Sequence, residues 1–506
     1  MSSDAGRLAV IGSGAAGLVA ALSAARAGLN VTVVEAAPVI GGTTAMSGGL
    51  IFAPGNRLAA DEGHVDSRED VLTYLKAVAR LDLDLAVVEG FLDTVPEFVS
   101  LLQEAGVPLR TSALRDYYAE APGAKTHRSL ACQPCDPAAL GDDRAMVRVT
   151  PHRKVPADEP WTNGMAVVGH LLAACRDAGV EFVRGWRATA LIQESGAVVG
   201  VRGETGGERA TLRADAGVVL ASGGFEFAPD LVRDRIAAPL DGAWSCPENT
   251  GGALRLAESV GAALEGFDVQ WYPLLRLSDE QYDGQPLMHD ATPARNMPGS
   301  VIVAGAGRRI TNESALYQEV GRDLAAADGA AWLLIDDRFV ESYGASAFPD
   351  ASLPAPWWTT AQDLAGIAEA TGMDPDVLGQ AIASFNAEAA RGADTAFGRG
   401  AAALDRAWGD ASIEGPRACL APLGAGRLHA TRIYAGCSGT TGGPAIDTAS
   451  RVLRPDGEVI EGLYAAGNAV ANPFGGTAPA SGGTLGPGMA TGFRAGQSAA
   501  ARHTAV

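Results

Sequence analysis

Residues 8–17 read Leu8-Ala9-Val10-Ile11-Gly12-Ser13-Gly14-Ala15-Ala16-Gly17, a short apolar run followed by Gly-x-Gly-x-x-Gly and then the helix-forming stretch Ala15 to Ala27. Each glycine has a task. Gly12 permits a tight turn, Gly14 lets backbone approach a pyrophosphate, and Gly17 lets the helix lie close on the strand. The helix N-terminus then faces the negative charge, with Ser13, Ala15 and Ala16 around it. Ala21 and Gly28 continue the small-residue spacing, Val31 to Val34 supplies a second strand, and Glu35 ends that strand where a ribose hydroxyl would donate to it. The uncharged run from Leu8 to Ala25 has membrane-spanning length, but Gly12, Gly14 and Gly17 break it into strand, turn and helix. The expectation is a dinucleotide site, with no integral membrane segment.

Three further segments favour a flavin over a nicotinamide. Gly41-Gly42-Thr43-Thr44-Ala45-Met46-Ser47-Gly48-Gly49 offers backbone and small hydroxyls, which can crowd a flat ring. Ala216 to Leu220 reads as a buried strand entering Ala221-Ser222-Gly223-Gly224. Gly462-Leu463-Tyr464-Ala465-Ala466-Gly467-Asn468 is a strand running into a small-residue turn. Gly482-Gly483-Thr484-Leu485-Gly486-Pro487 then opens a second helix, whose N-terminus is offered to an electron-rich ring edge.

At 506 residues the chain is long enough for several structural units. Its 39 basic and 59 acidic residues give a net charge of −20, which repels phosphate backbones, so nucleic acid is not an expected partner. Six cysteines are too few for a disulfide framework, and Met1 to Arg7 lacks a signal-peptide pattern; a cytoplasmic location is the expectation. Cys132-x-x-Cys135 lacks a second pair or a nearby His, and reads as two unlinked thiols rather than a metal site. No metal is expected.

Together these segments resemble the flavoprotein family that contains fumarate reductase flavoprotein subunits and 3-ketosteroid dehydrogenases, with the steroid branch nearer. Ala53-Pro54-Gly55-Asn56, Ala221 to Glu226, Gly307-Arg308-Arg309, Asn312-Glu313-Ser314 and Tyr317 carry the likeness, with Gly462 to Gly496. The resemblance implies an α/β protein with a discontinuous Rossmann-type FAD-binding domain, residues 1–275 and 431–506, and an inserted α+β substrate or capping domain, residues 276–430. It adds Ala36 and Ala188 to the expected cofactor contacts. No His stands near Gly42 to Gly49 as in histidyl-linked members, so noncovalent FAD is expected. Thr250-Gly251-Gly252-Ala253 replaces the family's Thr-Gly-Asp-Gly.

The fumarate-reductase landmarks are missing: Cys437-Ser438-Gly439-Thr440-Thr441-Gly442-Gly443 stands where that branch has His-His-Thr-Met-Gly-Gly, and Tyr317 where it places an Arg. In the steroid branch the Tyr317 position is the catalytic base. The implied reaction removes a proton alpha to a cyclic ketone and passes hydride from the neighbouring carbon to FAD. An unidentified electron acceptor then reoxidises the flavin. Reduction of activated C=C bonds is the alternative, and a flavin carrier without turnover is a third. A tyrosine pKa near 10 lies about 3 units above neutrality, costing about 4 kcal/mol to ionise, so Tyr317 needs a nearby donor. Tyr117, or Tyr118, is the candidate. The family's carbonyl-polarising segment Tyr-Pro-Gly-x-Gly is here Ala478-Pro479-Ala480-Ser481-Gly482. The Tyr is lost, leaving the Gly482 N–H, with Ser481 or His429 as substitutes. The implied substrate is a 3-ketosteroid or a smaller cyclohexanone-type ring, and that loss favours the smaller one. His152, Arg153 and Lys154 form a small basic cluster that reads as a solvated loop.

Overall fold

The computed structural model describes residues 5–152, 159–349, 353 and 355–504. Arg153 and Lys154 lie outside them. Sixteen elements matter here, in chain order: β1 (Arg7–Ile11), α1 (Ala15–Arg26), β2 (Asn30–Glu35), α2 (Gly42–Met46), β3 (Leu50–Phe52), α3 (Asn163–Asp177), β4 (Glu181–Arg184), β5 (Gly217–Leu220), β6 (Leu264–Leu275), β7 (Val301–Ala304), α4 (Tyr317–Ala325), β8 (Ala331–Asp336), β9 (Leu428–Pro444), β10 (Arg451–Leu453), β11 (Val459–Ala465) and α5 (Leu485–Thr504).

The chain forms two compact units: residues 1–236, 245–269 and 439–506, and residues 237–244 and 270–438. In the first, a six-stranded sheet runs in the order β10-β11-β5-β1-β2-β4. All its pairings are parallel except that of β10 with β11. Parallel strands need crossovers, which bury both sheet faces, and this explains why Val10, Val33, Val219 and Leu463 are all solvent-free. The helix α1 is Ala-rich and buried on nearly every side, because α5 closes over it. Gly492 makes that approach possible: a Cβ there would stand 2.2 Å from the Ala16 carbonyl oxygen. The apolar run that meets a membrane length criterion is thus a core strand and helix. Among the described residues no helix is long and apolar enough to cross a membrane.

The second unit is built on a mixed sheet in which β6, β9, β8 and β7 are successive neighbours. β8 pairs antiparallel with both β9 and β7, and its Leu334 packs with Val301, Val303, Leu428 and Ala430.

Candidate functional site

β1 delivers the chain into Gly12, whose φ of +103° belongs to glycine and whose Cβ would meet the Ala221 carbonyl oxygen at 2.4 Å. Gly17 lies against Gly12 itself, a Cβ there falling 2.1 Å from its oxygen. At Gly14, by contrast, a Cβ would make only ordinary contact, 3.6 Å from Thr44 Oγ1, and as N-cap of α1 it brings no side-chain acceptor to the helix start. Among the described residues only the Ala15 N–H is taken, by Thr44 Oγ1 at 3.0 Å, which ties α2 to this end. Ala16 lies in the first turn that follows. The result is a helix N-terminus whose partial positive charge is open to an anion.

Glu35 is buried and busy. Its Oε2 accepts the Ser13 N–H at 3.1 Å and hydroxyl at 2.6 Å, and its Oε1 accepts the Ala37 N–H at 2.9 Å. Ser13 Oγ in turn accepts the Gly41 N–H at 3.0 Å. The carboxylate therefore shapes the Gly12–Gly14 turn while Oε1 keeps a lone pair unused by the protein. Ala36 follows it directly, and half-buried Ala188 packs against the cluster containing Val34 and Val218.

The glycine-rich segment becomes the short helix α2, entered through Gly41 (φ +109°) and Gly42 (φ +47°). Met46 is buried, Ser47 Oγ donates to the Thr44 carbonyl at 2.8 Å, and Gly48 is exposed. At Gly49 a Cβ would strike the Asn163 backbone at 2.3 Å, so α3 fixes the far side of this loop. Ala221 and Ser222 leave β5, with Ser222 Oγ accepting the Ala253 N–H at 3.0 Å. Gly223 and Gly224 pass too close to Asn249 and Thr440 for any side chain, at 2.5 and 2.4 Å. Gly251 caps the helix Gly252–Glu258 in a left-handed conformation. At the other end Gly467 donates to Thr491 Oγ1 at 3.1 Å, with Asn468 beside it. Gly482, Gly483, Thr484 and Leu485 are half-buried at the start of α5.

Two catalytic candidates meet in this first unit. Ser481 Oγ donates to the Tyr117 hydroxyl at 3.0 Å, and the Tyr117 N–H donates to the Pro479 carbonyl at 3.0 Å. Tyr118 instead reaches Thr477, with 3.2 Å between hydroxyls. The Gly482 carbonyl accepts the Phe52 and Gly486 N–H groups, while among the described residues nothing accepts the Gly482 N–H. Tyr74, which sequence reasoning missed, braces the same segment: its hydroxyl donates to the Pro479 carbonyl at 2.5 Å and accepts the Tyr118 N–H. Buried Asp116 lies 2.6 Å from Arg128, and desolvation outweighs that guanidinium, pushing its carboxyl up to about 6.

Tyr317 opens α4 in the second unit, between Tyr272 (ring centroids 4.4 Å apart) and Trp408 (6.3 Å). Trp244 extends the column at 5.3 Å from Tyr272. These partners come from distant segments, and no local pattern announced them. The Arg309 and Asn312-Glu313-Ser314 motif proves to be the frame beneath: Glu313 is held by Arg309 at 2.8 Å and Arg399 at 3.0 Å, all three buried side chains. His429 is buried in β9 and bound to Asp337 at 3.0 Å and Thr360 at 2.9 Å, a structural rather than open position. Cys132 and Cys135 are separate buried thiols, which burial pushes up to about 12 and about 11.

A parallel α/β sheet with an open helix N-terminus and a glycine-lined second approach defines a flavin nucleotide-binding protein. The chain belongs to the family described as FAD binding domain, whose model matches residues 7–485. It is 34% identical to a 3-oxosteroid 1-dehydrogenase of Mycolicibacterium smegmatis, covering 96% of this chain and 95% of that one. A 4-oxocyclohexanecarboxylate 2-dehydrogenase of Sinomonas cyclohexanicum is 33% identical over 97% of this chain and 92% of its own. Among solved structures, 3-ketosteroid delta1-dehydrogenase from Sterolibacterium denitrificans, in complex with 1,4-androstadiene-3,17-dione, superposes with a TM-score of 0.90 at 29% identity, covering 99% of this chain and 100% of that one. The protein is an FAD-dependent oxidoreductase acting on CH–CH groups. The residues present fit FAD: a Cβ would fill the turn at Gly12, α1 carries no N-cap side chain, and Glu35 retains acceptor capacity.

Proposed function

We propose that this protein desaturates a monocyclic ketone beside its carbonyl, giving an α,β-unsaturated ketone. The observation that carries the choice of a small ring is the segment 478–482, in which a buried alanine stands where the steroid branch has its carbonyl-polarising tyrosine. The 33% identical relative named for 4-oxocyclohexanecarboxylate supports it.

In this reading FAD is held noncovalently by the turn Gly12–Gly17, Glu35 and Ala36, the Gly41–Gly49 segment, Ala188, Ala221–Gly224, Gly467, Asn468 and Gly483–Leu485. When bound, it supplies the hydride acceptor. The chain's own residues manage the proton and the carbonyl. Tyr317, from the inserted region 276–430, takes the α proton, its aromatic neighbours holding the ring in one orientation. Tyr117, alternatively Tyr118, supplies a second catalytic hydroxyl. The Gly482 N–H donates to the oxygen as enolate charge develops, and the Ser481 hydroxyl replaces part of what the lost tyrosine gave. One such donor is worth about 3 kcal/mol in acyl-transfer sites. The protein works in the cytoplasm and passes electrons to an acceptor of unidentified chemistry.

The test is anaerobic mixing of the yellow holoenzyme with cyclohexanone, with 4-oxocyclohexanecarboxylate and with a 3-ketosteroid, following the visible flavin band. Bleaching by a monocyclic ketone and not by the steroid is expected. Bleaching by the steroid alone overturns the small-ring assignment, and no bleaching, with rapid reoxidation of reduced enzyme by an enone, makes the protein a C=C reductase. Acid precipitation should release the chromophore; a protein pellet that stays yellow overturns the noncovalent assignment.

A further inference from the structure

We propose that the Glu226 carboxylate, acting through the Asn249 amide, locks the Thr43 hydroxyl into the role of hydrogen-bond donor toward the isoalloxazine of bound FAD. The inference rests on the placement of FAD against α2 given above. All of its residues belong to the first unit.

The argument is a count of protons and lone pairs. A hydroxyl has one proton to give and two lone pairs to fill. Thr43 Oγ1 accepts the Cys246 N–H at 3.1 Å and an Asn249 Nδ2 hydrogen at 3.0 Å, so both lone pairs are used. The orientation of the Asn249 amide is not free. Its Nδ2 also lies 2.7 Å from Glu226 Oε1, and a carboxylate only accepts, so nitrogen must face Glu226. Each hydrogen of that one NH2 group then has a single destination. Glu226 is itself pinned in a buried position: Ser245 Oγ donates to Oε1 at 2.6 Å, and the Thr440 N–H and hydroxyl donate to Oε2 at 3.1 and 2.8 Å. The direction of the Thr440 hydroxyl is set in turn, because its oxygen accepts the Phe225 N–H at 2.7 Å.

Among the described residues nothing accepts the Thr43 proton, and the side chain is half-buried at the first turn of α2. Its neighbour Thr44 holds the Ala15 N–H, so the hydroxyl belongs to the segment tied to the nucleotide end. With no protein acceptor among the described residues, its proton is left for the ring that the proposed function places against α2. A donor there favours the negative charge that reduction brings to the ring, raising both FAD affinity and midpoint potential. Glu226 and Asn249 are positioning residues.

The test uses substrate-free holoenzyme, so it does not depend on which ketone is oxidised. Thr43→Val, close to isosteric, should weaken FAD binding about tenfold and lower the midpoint potential, and Thr43→Ser should restore both. Asn249→Asp is the decisive variant. A protonated Asp satisfies Glu226 with its one proton and turns an accepting oxygen to Thr43, capturing the hydroxyl, so the potential should fall as in Thr43→Val. A Thr43→Val protein with wild-type affinity and potential overturns the donor assignment. An Asn249→Asp protein with wild-type potential overturns the relay, and it carries the test by itself should Thr43→Val fail to fold. Failure of every ketone to bleach the wild-type flavin would instead remove the desaturase reading and leave this one standing.

Discussion

Tyr317 shows what one residue type demands of its surroundings. A phenol must lose its proton to act as a base, and at neutral pH that costs about 4 kcal/mol unless a donor shares the charge. The ring is set by stacking on Tyr272 and Trp408. Tyr317→Phe keeps those ring contacts and removes only the hydroxyl. It should therefore leave FAD binding unchanged and slow ketone-driven flavin reduction by about 10²- to 10⁴-fold in anaerobic stopped flow. A variant that reduces its flavin at the wild-type rate shows that another group takes the proton. The residue's number was legible in the sequence from the motif before it. Its neighbours were not, since Trp244, Tyr272 and Trp408 meet it only through the folding of the second unit. The same holds for Thr43: the segment was read as a small-residue approach to a ring, but the Asn249 and Glu226 partners that orient its hydroxyl come from far along the chain.

Among the elements, glycines separate into those that space the packing and those that merely interrupt a helix. In α5, Gly492 and Gly496 let α1 approach until their absent Cβ atoms would sit 2.2 and 2.5 Å from the Ala16 and Ala20 carbonyl oxygens. Gly379, in the helix Pro375–Ala389, has nothing within 4 Å of its Cβ position and an ordinary helical backbone. Substitution by alanine should thus act in opposite directions. Gly492→Ala forces α1 and α5 apart, lowering stability by about 1–3 kcal/mol and weakening FAD, whose site begins at the α1 N-terminus. Gly379→Ala should stabilise by about 0.5–1 kcal/mol by removing chain entropy from the unfolded state. Denaturant midpoints of the two variants check the signs. Local rules made β1, α1, β2 and β5 legible because turn glycines and β-branched runs act over a few residues. The closure of α5 on α1 joins the two ends of the chain, and a window of sequence carries no signal of it.

Across the molecule, the second unit depends on a buried ionic frame that gathers three separated segments. Glu313 accepts the Ile302 N–H at 3.1 Å and the Arg309 Nε at 2.9 Å through Oε1, and Arg399 at 3.0 Å through Oε2. Asp394 receives Arg309 in a second pair of bonds, both at 2.9 Å. Burial by itself would raise the Glu313 carboxyl, and the two guanidinium charges overcome it, holding the group below the usual carboxylate range; Asp394 is held low in the same way by Arg309. An acid depressed in the folded state releases its proton more readily there than when unfolded. Its stabilisation is therefore complete above the unfolded value near 4.3 and is lost as pH falls through the folded value. Glu313→Gln leaves two buried arginines facing one carboxylate, and at pH 7 should cost about 3–5 kcal/mol. As pH falls below about 4.3 the unfolded chain takes up the proton while the folded protein still resists it, so the difference between the two proteins should shrink progressively. Denaturant unfolding of both from pH 7 downward measures it; a gap that stays constant across that range would show that the frame contributes through shape rather than charge. Because Glu313 lies four residues before Tyr317 and anchors the segment that leads into α4, the variant should also lose ketone-driven flavin reduction, while the first unit, which contains Gly12, Glu35 and Thr43, retains FAD.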